Sequence, residues 1–149
     1  MRRILVAVGL SVVLGACSGG GGGLPGGVKK KADSDISGIC VDYDKARLKG
    51  GSGDPARKAL MKQIDKTCCP QVAKGAKKLD AAGKALVWYA FARQMDNVYS
   101  PDDIRKYDDG FEALKGAMTP DDFDAAYDAF EIRFSCGTDL ERKAGLSPY

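Results

Sequence analysis

The chain has 149 residues, 29% of them charged, with a formal net charge of +3. This length accommodates one small domain, and a near-neutral total argues against a dedicated nucleic-acid binder. Histidine is absent, which removes the usual general base and the usual companion of cysteine at zinc sites.

In chain order, Arg2 and Arg3 precede an apolar run from Ile4 to Leu14, and Leu14-Gly15-Ala16-Cys17 follows. The run is shorter than the roughly 20 residues that span a bilayer. A basic start, a short apolar stretch, small residues and then cysteine resemble the signal segment and lipobox of bacterial lipoproteins. The resemblance implies removal of residues 1–16 and a diacylglyceryl thioether on Cys17. It also implies attachment to the cell envelope through that lipid. Ser18, in place of aspartate, resembles outer-membrane sorting in a Gram-negative host, with the protein facing the periplasm. Five consecutive glycines, Gly19 to Gly23, lie in the stretch after Cys17. Such a run has no side chains to bury and reads as a tether over residues 17–31. The folded domain is expected over residues 32–149.

That domain is predicted to be all-α, a small disulfide-stapled bundle of about five helices. Ile36, Ile39, Cys40 and Tyr43 share one helical face. Asp33 to Ser37 supply caps for it, and Lys49 to Gly53 break it. Asp54-Pro55 starts a second helix as N-cap and N1, with Leu60, Met61, Ile64 and Cys68 on its apolar side. Pro70 is expected to stop it. Gln71 to Leu79 is a short basic segment with room for a helical turn or two. The apolar run Ala85 to Ala92 is the candidate central helix. Ser100-Pro101-Asp102-Asp103 and Thr119-Pro120-Asp121-Asp122 are near-identical helix starts: hydroxyl cap, proline at N1 and two carboxylates at the positive end of the dipole. They predict two helices, arranged as an αα-hairpin, with stripes at Ile104, Tyr107, Phe111, Leu114 and Met118 and at Phe123, Tyr127, Phe130 and Phe134. A last turn is expected within Thr138 to Ala144.

Apart from Cys17, four cysteines remain: Cys40, Cys68, Cys69 and Cys136. An even count in an exported chain reads as two disulfides. Adjacent Cys68-Cys69 and the missing histidine do not fit zinc spacing, and neighbouring Cα atoms are too close for an easy bridge. If the first two helices are antiparallel, Cys40 pairs with Cys68 or Cys69, and Cys136 takes the other.

Catalytic chemistry has no carrier in the sequence. Serines lack a G-x-S-x-G setting, and the three glutamates sit among polar neighbours. Asp33 to Gly38 resembles the opening of an EF-hand, but Cys40 and Asp44 occupy positions that need an apolar residue and a glutamate. No catalytic residue, metal or cofactor is therefore assigned. Charge is unevenly placed: residues 28–93 hold 15 basic and 7 acidic side chains, and residues 94–149 hold 6 and 13. The two halves either attract one another or present separate faces. On the last long helix, Asp121, Asp124, Asp128 and Glu131 step at i+3 and i+4, where like charges repel. That stripe is the candidate partner surface, unless it packs near Lys74, Lys77 and Lys78. The expectation is a membrane-anchored, non-enzymatic module that binds a protein partner in the envelope. In size, helical class and location it resembles some periplasmic immunity proteins that block secreted amidases. The alternative is a small-ligand binder or sensor with a pocket around Trp88.

Overall fold

The computed structural model describes residues 35–50 and 54–145. Residues 1–34, with the lipobox, Cys17, the tether and Asp33, lie outside the described residues. All regular structure among the described residues is helical. In chain order it comprises α1 (Ile36–Gly50), α2 (Pro55–Thr67), α3 (Cys69–Ala76), α4 (Ala81–Ala92), α5 (Pro101–Ala117) and α6 (Pro120–Lys143). Cys68, between α2 and α3, keeps helical dihedrals, so those two form one interrupted helix and the described residues make five helical units.

The helix starts follow the capping chemistry in the sequence. Backbone N–H groups donate to Asp35 from Gly38 at 2.7 Å, to Asp54 from Ala56 at 3.0 Å and to Asp80 from Gly83 at 2.7 Å. Each satisfies a donor that the helix itself leaves orphaned. Ser100 and Thr119 accept from the N–H of Asp103 and Asp122, both at 3.2 Å. Their hydroxyls donate back to the same two carboxylates. That donation from Ser100 holds the Asp103 carboxyl below the usual carboxylate range.

Pro70 corrects one expectation: it does not stop the helix. Val72 N–H donates to Cys68 O at 3.0 Å, and the Gln71 side chain donates to Thr67 O at 3.0 Å. A proline early in a helix costs little, because the missing N–H is an orphan there anyway. The chain therefore resumes at once, and the basic segment becomes the eight-residue α3.

The apolar helix α4 is the centre of the bundle. Every residue from Ala85 to Ala92 is buried, and α1, α5 and α6 all pack on this helix. Phe91 meets Phe130 at 4.8 Å and Tyr43 at 5.5 Å between ring centroids. Gly110 lets α5 approach: a Cβ there would lie 2.6 Å from the Tyr89 ring. Arg93, at the end of α4, lies over the Phe111 ring at 3.7 Å.

The last two helices are not a packed hairpin. Here α5 docks on α4, while α6 packs on α3 and α4; the two helices meet where Phe111 approaches Phe123, at 6.3 Å. Nor does α6 stop for a separate last turn: it runs 24 residues, and Gly145, at φ 69°, follows its end. Its deeply buried side is Ala126, Ala129, Phe130, Arg133 and Gly137, so Phe123, Tyr127 and Phe134 flank the core and stay half-buried. The helix α3 comes close there: a Cβ on Gly75 would sit 3.6 Å from the Ala129 Cβ and 2.8 Å from Ile132.

Two apolar clusters result. The larger surrounds α4; the smaller holds Leu60, Met61, Ile64 and Cys68 against Leu48, Cys136 and Leu140.

Candidate functional site

The disulfides take one of the two expected pairings. Cys40 bonds Cys69 and Cys68 bonds Cys136, with Cα separations of 5.6 and 5.7 Å. The neighbours Cys68 and Cys69 thus serve different clusters. Successive helical positions point in directions about 100° apart, which lets one junction be stapled to α1 and to α6. Cys40, Asp44 and Cys69 are the one group of possible metal donors among the described residues. Their two sulfurs are joined to each other, so neither is a thiolate that could bind an ion. For the same reason the 3.9 Å approach of Cys69 Sγ to Asp44 is a contact and not a donated hydrogen bond.

At the seam between the clusters lies a buried ion pair. Arg133 is 2% exposed and Asp44 0%. Arg133 Nε donates to both Asp44 oxygens, at 2.9 and 2.8 Å, and its Nη2 donates to Asp44 Oδ1 as well. Asp65 stands beside them. Burial, then its hydrogen bond with Asp44 and that carboxylate's charge, push the Asp65 carboxyl up to about 7. Its Oδ1 is buried with no hydrogen-bond partner among the described residues. This cluster was not assigned from sequence. Arg133 lies on the acidic helix, but it faces inward and neutralises none of the stripe. The available signal was its spacing from Ala126, Ala129, Phe130 and Gly137, which places it on the small-residue side of α6.

The acidic stripe stands as expected on the outer side. Asp121, Asp124, Asp128 and Glu131 are all exposed. None of the four pairs with a cation among the described residues. Lys74, Lys77 and Lys78 are exposed too and do not meet it in an ion pair. Beside the stripe runs an open groove of about 620 Å³. Tyr127, Phe130, Ile132 and Phe134 supply its apolar wall; Asp128 and Glu131 supply its charge.

Trp88 lies elsewhere. It is 4% exposed, and its ring packs edge-on against Tyr89 at 5.7 Å and Tyr107 at 5.3 Å. It does not line the groove. Among the described residues, no helix is long and apolar enough to cross a membrane.

No protein-family model matches the chain, and no curated protein or solved structure matches it either.

Proposed function

We propose that this chain is an exported lipoprotein acting as a non-enzymatic interaction module in the bacterial cell envelope. A lipid on Cys17 holds it at the membrane, facing the periplasm from the outer membrane of a Gram-negative host. Its partner is a protein: an envelope assembly component, or a toxin or hydrolase that it blocks. One observation carries this reading. Four exposed carboxylates on α6 accept mutual repulsion with no cation to relieve it among the described residues. A basic partner would supply that relief and gain a faster, salt-sensitive association. Two disulfides and a packed core keep the face rigid, which lowers the ordering cost of binding.

The test has two arms. Cells expressing the chain are fed labelled palmitate, and envelope proteins are then captured on the wild type and on Asp124→Lys/Asp128→Lys. Label on the wild type and none on Cys17→Ser, with captured proteins lost from the charge-reversed variant, is the expected result. An unlabelled wild type overturns the anchor; unchanged capture overturns the acidic face.

A further inference from the structure

We infer that the groove beside the acidic stripe is the docking seat, and that it takes a cationic amphipathic helix of the partner protein, with apolar side chains entering between Tyr127 and Phe134. This rests on the functional reading above and narrows it from a charged face to a defined seat.

The argument starts with the register of α6. Asp128 and Glu131 are three residues apart, and Tyr127, Phe130 and Phe134 are spaced by three and four on the neighbouring side. Carboxylates and aromatic rings therefore run in adjacent parallel rows along the helix. The aromatic row is only partly covered: Tyr127 and Phe134 remain half-buried, whereas Phe130 is closed off beneath them. The rings are held in place. Tyr127 stacks on Phe123 with centroids 5.7 Å apart, and Phe134 meets Phe130 at 5.0 Å and Tyr43 at 5.9 Å. At the sides, the Gln94 side chain donates to Ala90 O at 2.9 Å, and the Ser135 hydroxyl donates back to Glu131 O and Ile132 O. The groove is thus preformed, with aromatic rings and two carboxylates in its lining.

Charge complementarity selects the occupant. Asp121 and Asp124 extend the negative row beyond the groove, so several cations in line would be matched in turn. A helix carrying lysine or arginine along one flank and leucine-like side chains beside it has that pattern, and grooves of this kind read such helices at i, i+3, i+4 spacing. A purely polar polycation would leave the aromatic row uncovered. An acidic or uncharged apolar helix would meet uncompensated carboxylates.

The mature chain from residue 17 onward, made without its signal segment and hence unlipidated, contains the whole described core. It can be titrated against a fluorescein-labelled, 14-residue helical peptide of leucine and lysine, read by anisotropy. Two control peptides replace lysine by glutamate or leucine by serine. Two variants probe the seat: Asp128→Lys/Glu131→Lys reverses the charge, and Ser135→Trp plugs the groove from an exposed position without altering charge or core. The leucine–lysine peptide should bind. Each control and each variant should weaken binding by about tenfold, which corresponds to about 1.4 kcal/mol, with melting points held. Loss on charge reversal but full binding to the plugged groove overturns the seat and leaves the acidic-face reading standing. No binding by the leucine–lysine peptide, or equal binding by the glutamate control, overturns both. Self-association through this face, broken by Ser135→Trp, makes the occupant a second copy and overturns the proposal.

Discussion

At Gly137 a hydrogen stands where any other residue would put a carbon against the Arg133 guanidinium. Mid-helix Gly→Ala normally stabilises by about 1 kcal/mol. Here the opposite sign is expected. The obstructing atom ends a long side chain, but that end is 2% exposed and fixed on both oxygens of Asp44. It has nowhere to swing without leaving Asp44 buried and unpaired. Gly137→Ala should therefore cost about 1–3 kcal/mol, as overpacking does. Gly116→Ala is the control: nothing lies within 4 Å of its would-be Cβ, so it should stabilise by up to about 1 kcal/mol. Urea melts of the two variants check the pair of signs. Asp65 adds a pH dependence. Unfolded, its carboxyl titrates near 3.8; folded, near 7. Between those values the folded chain holds a proton that the unfolded chain has released. Stability from this group is greatest below about pH 4, falls as pH rises to about 7 and is flat above. Asp65→Asn should flatten that slope, measured as the urea midpoint from pH 4 to 8. An equal slope in the variant would remove Asp65 from the account.

Among the elements, the staples divide the labour. The Cys68–Cys136 bridge closes 68 residues of chain and ties the far part of α6 to the α2–α3 junction. In the chain-entropy picture that loop is worth about 4 kcal/mol. Cys68→Ala/Cys136→Ala should lower the unfolding free energy by that order. Amides from Gly137 to Lys143 should exchange faster, because few other contacts hold that end. A drop below about 1 kcal/mol would mean that the Leu60–Ile64–Leu140 packing suffices alone. The elements themselves were largely readable from sequence because their determinants are local. Asp54-Pro55 and the Ser/Thr-Pro-Asp-Asp starts state their caps within four residues, and Ala85 to Ala92 states its burial by being apolar on every side. What could not be read was non-local. The bond from Gln71 that helps carry the chain past Pro70 depends on rotamer and geometry. Whether α5 packs on α4 or along α6 depends on which close approach Gly110 and Gly75 permit. The Asp44–Arg133 pair links residues 89 apart, and nothing in the neighbourhood of either names the other. The stripe of the candidate site was legible because exposure on one side of a helix follows from period alone; the groove was not, because it needs the tilt of α6 on its neighbours.

For the whole molecule, the uneven charge has a structural answer. Most ion pairs among the described residues are local, three residues apart on one helix. Among the described residues, Arg93, with Asp108 and Glu112, and Arg133, with Asp44, cross between the basic and the acidic half of the chain. Apolar burial around α4 and the Cys68–Cys136 disulfide therefore join the halves among the described residues. The stripe on α6 is left facing outward, and this fixes a sign that distinguishes a partner surface from an internal contact. Were Asp124 and Asp128 paired with the lysines around Gly75, changing both to lysine would destabilise the fold. With no such pair among the described residues, Asp124→Lys/Asp128→Lys instead turns the repulsions with Asp121 and Glu131 into two attractive i+3 pairs, while the i+4 contact between positions 124 and 128 stays like-charged. Each such pair is worth about 0.2–0.5 kcal/mol on a helix surface. The variant should melt at the same temperature as the wild type or slightly above it, and the difference should shrink as salt is raised from low ionic strength. A melting point lowered by several degrees at low salt and restored by neither salt nor pH would place the stripe in the folding of this chain and not on its binding side.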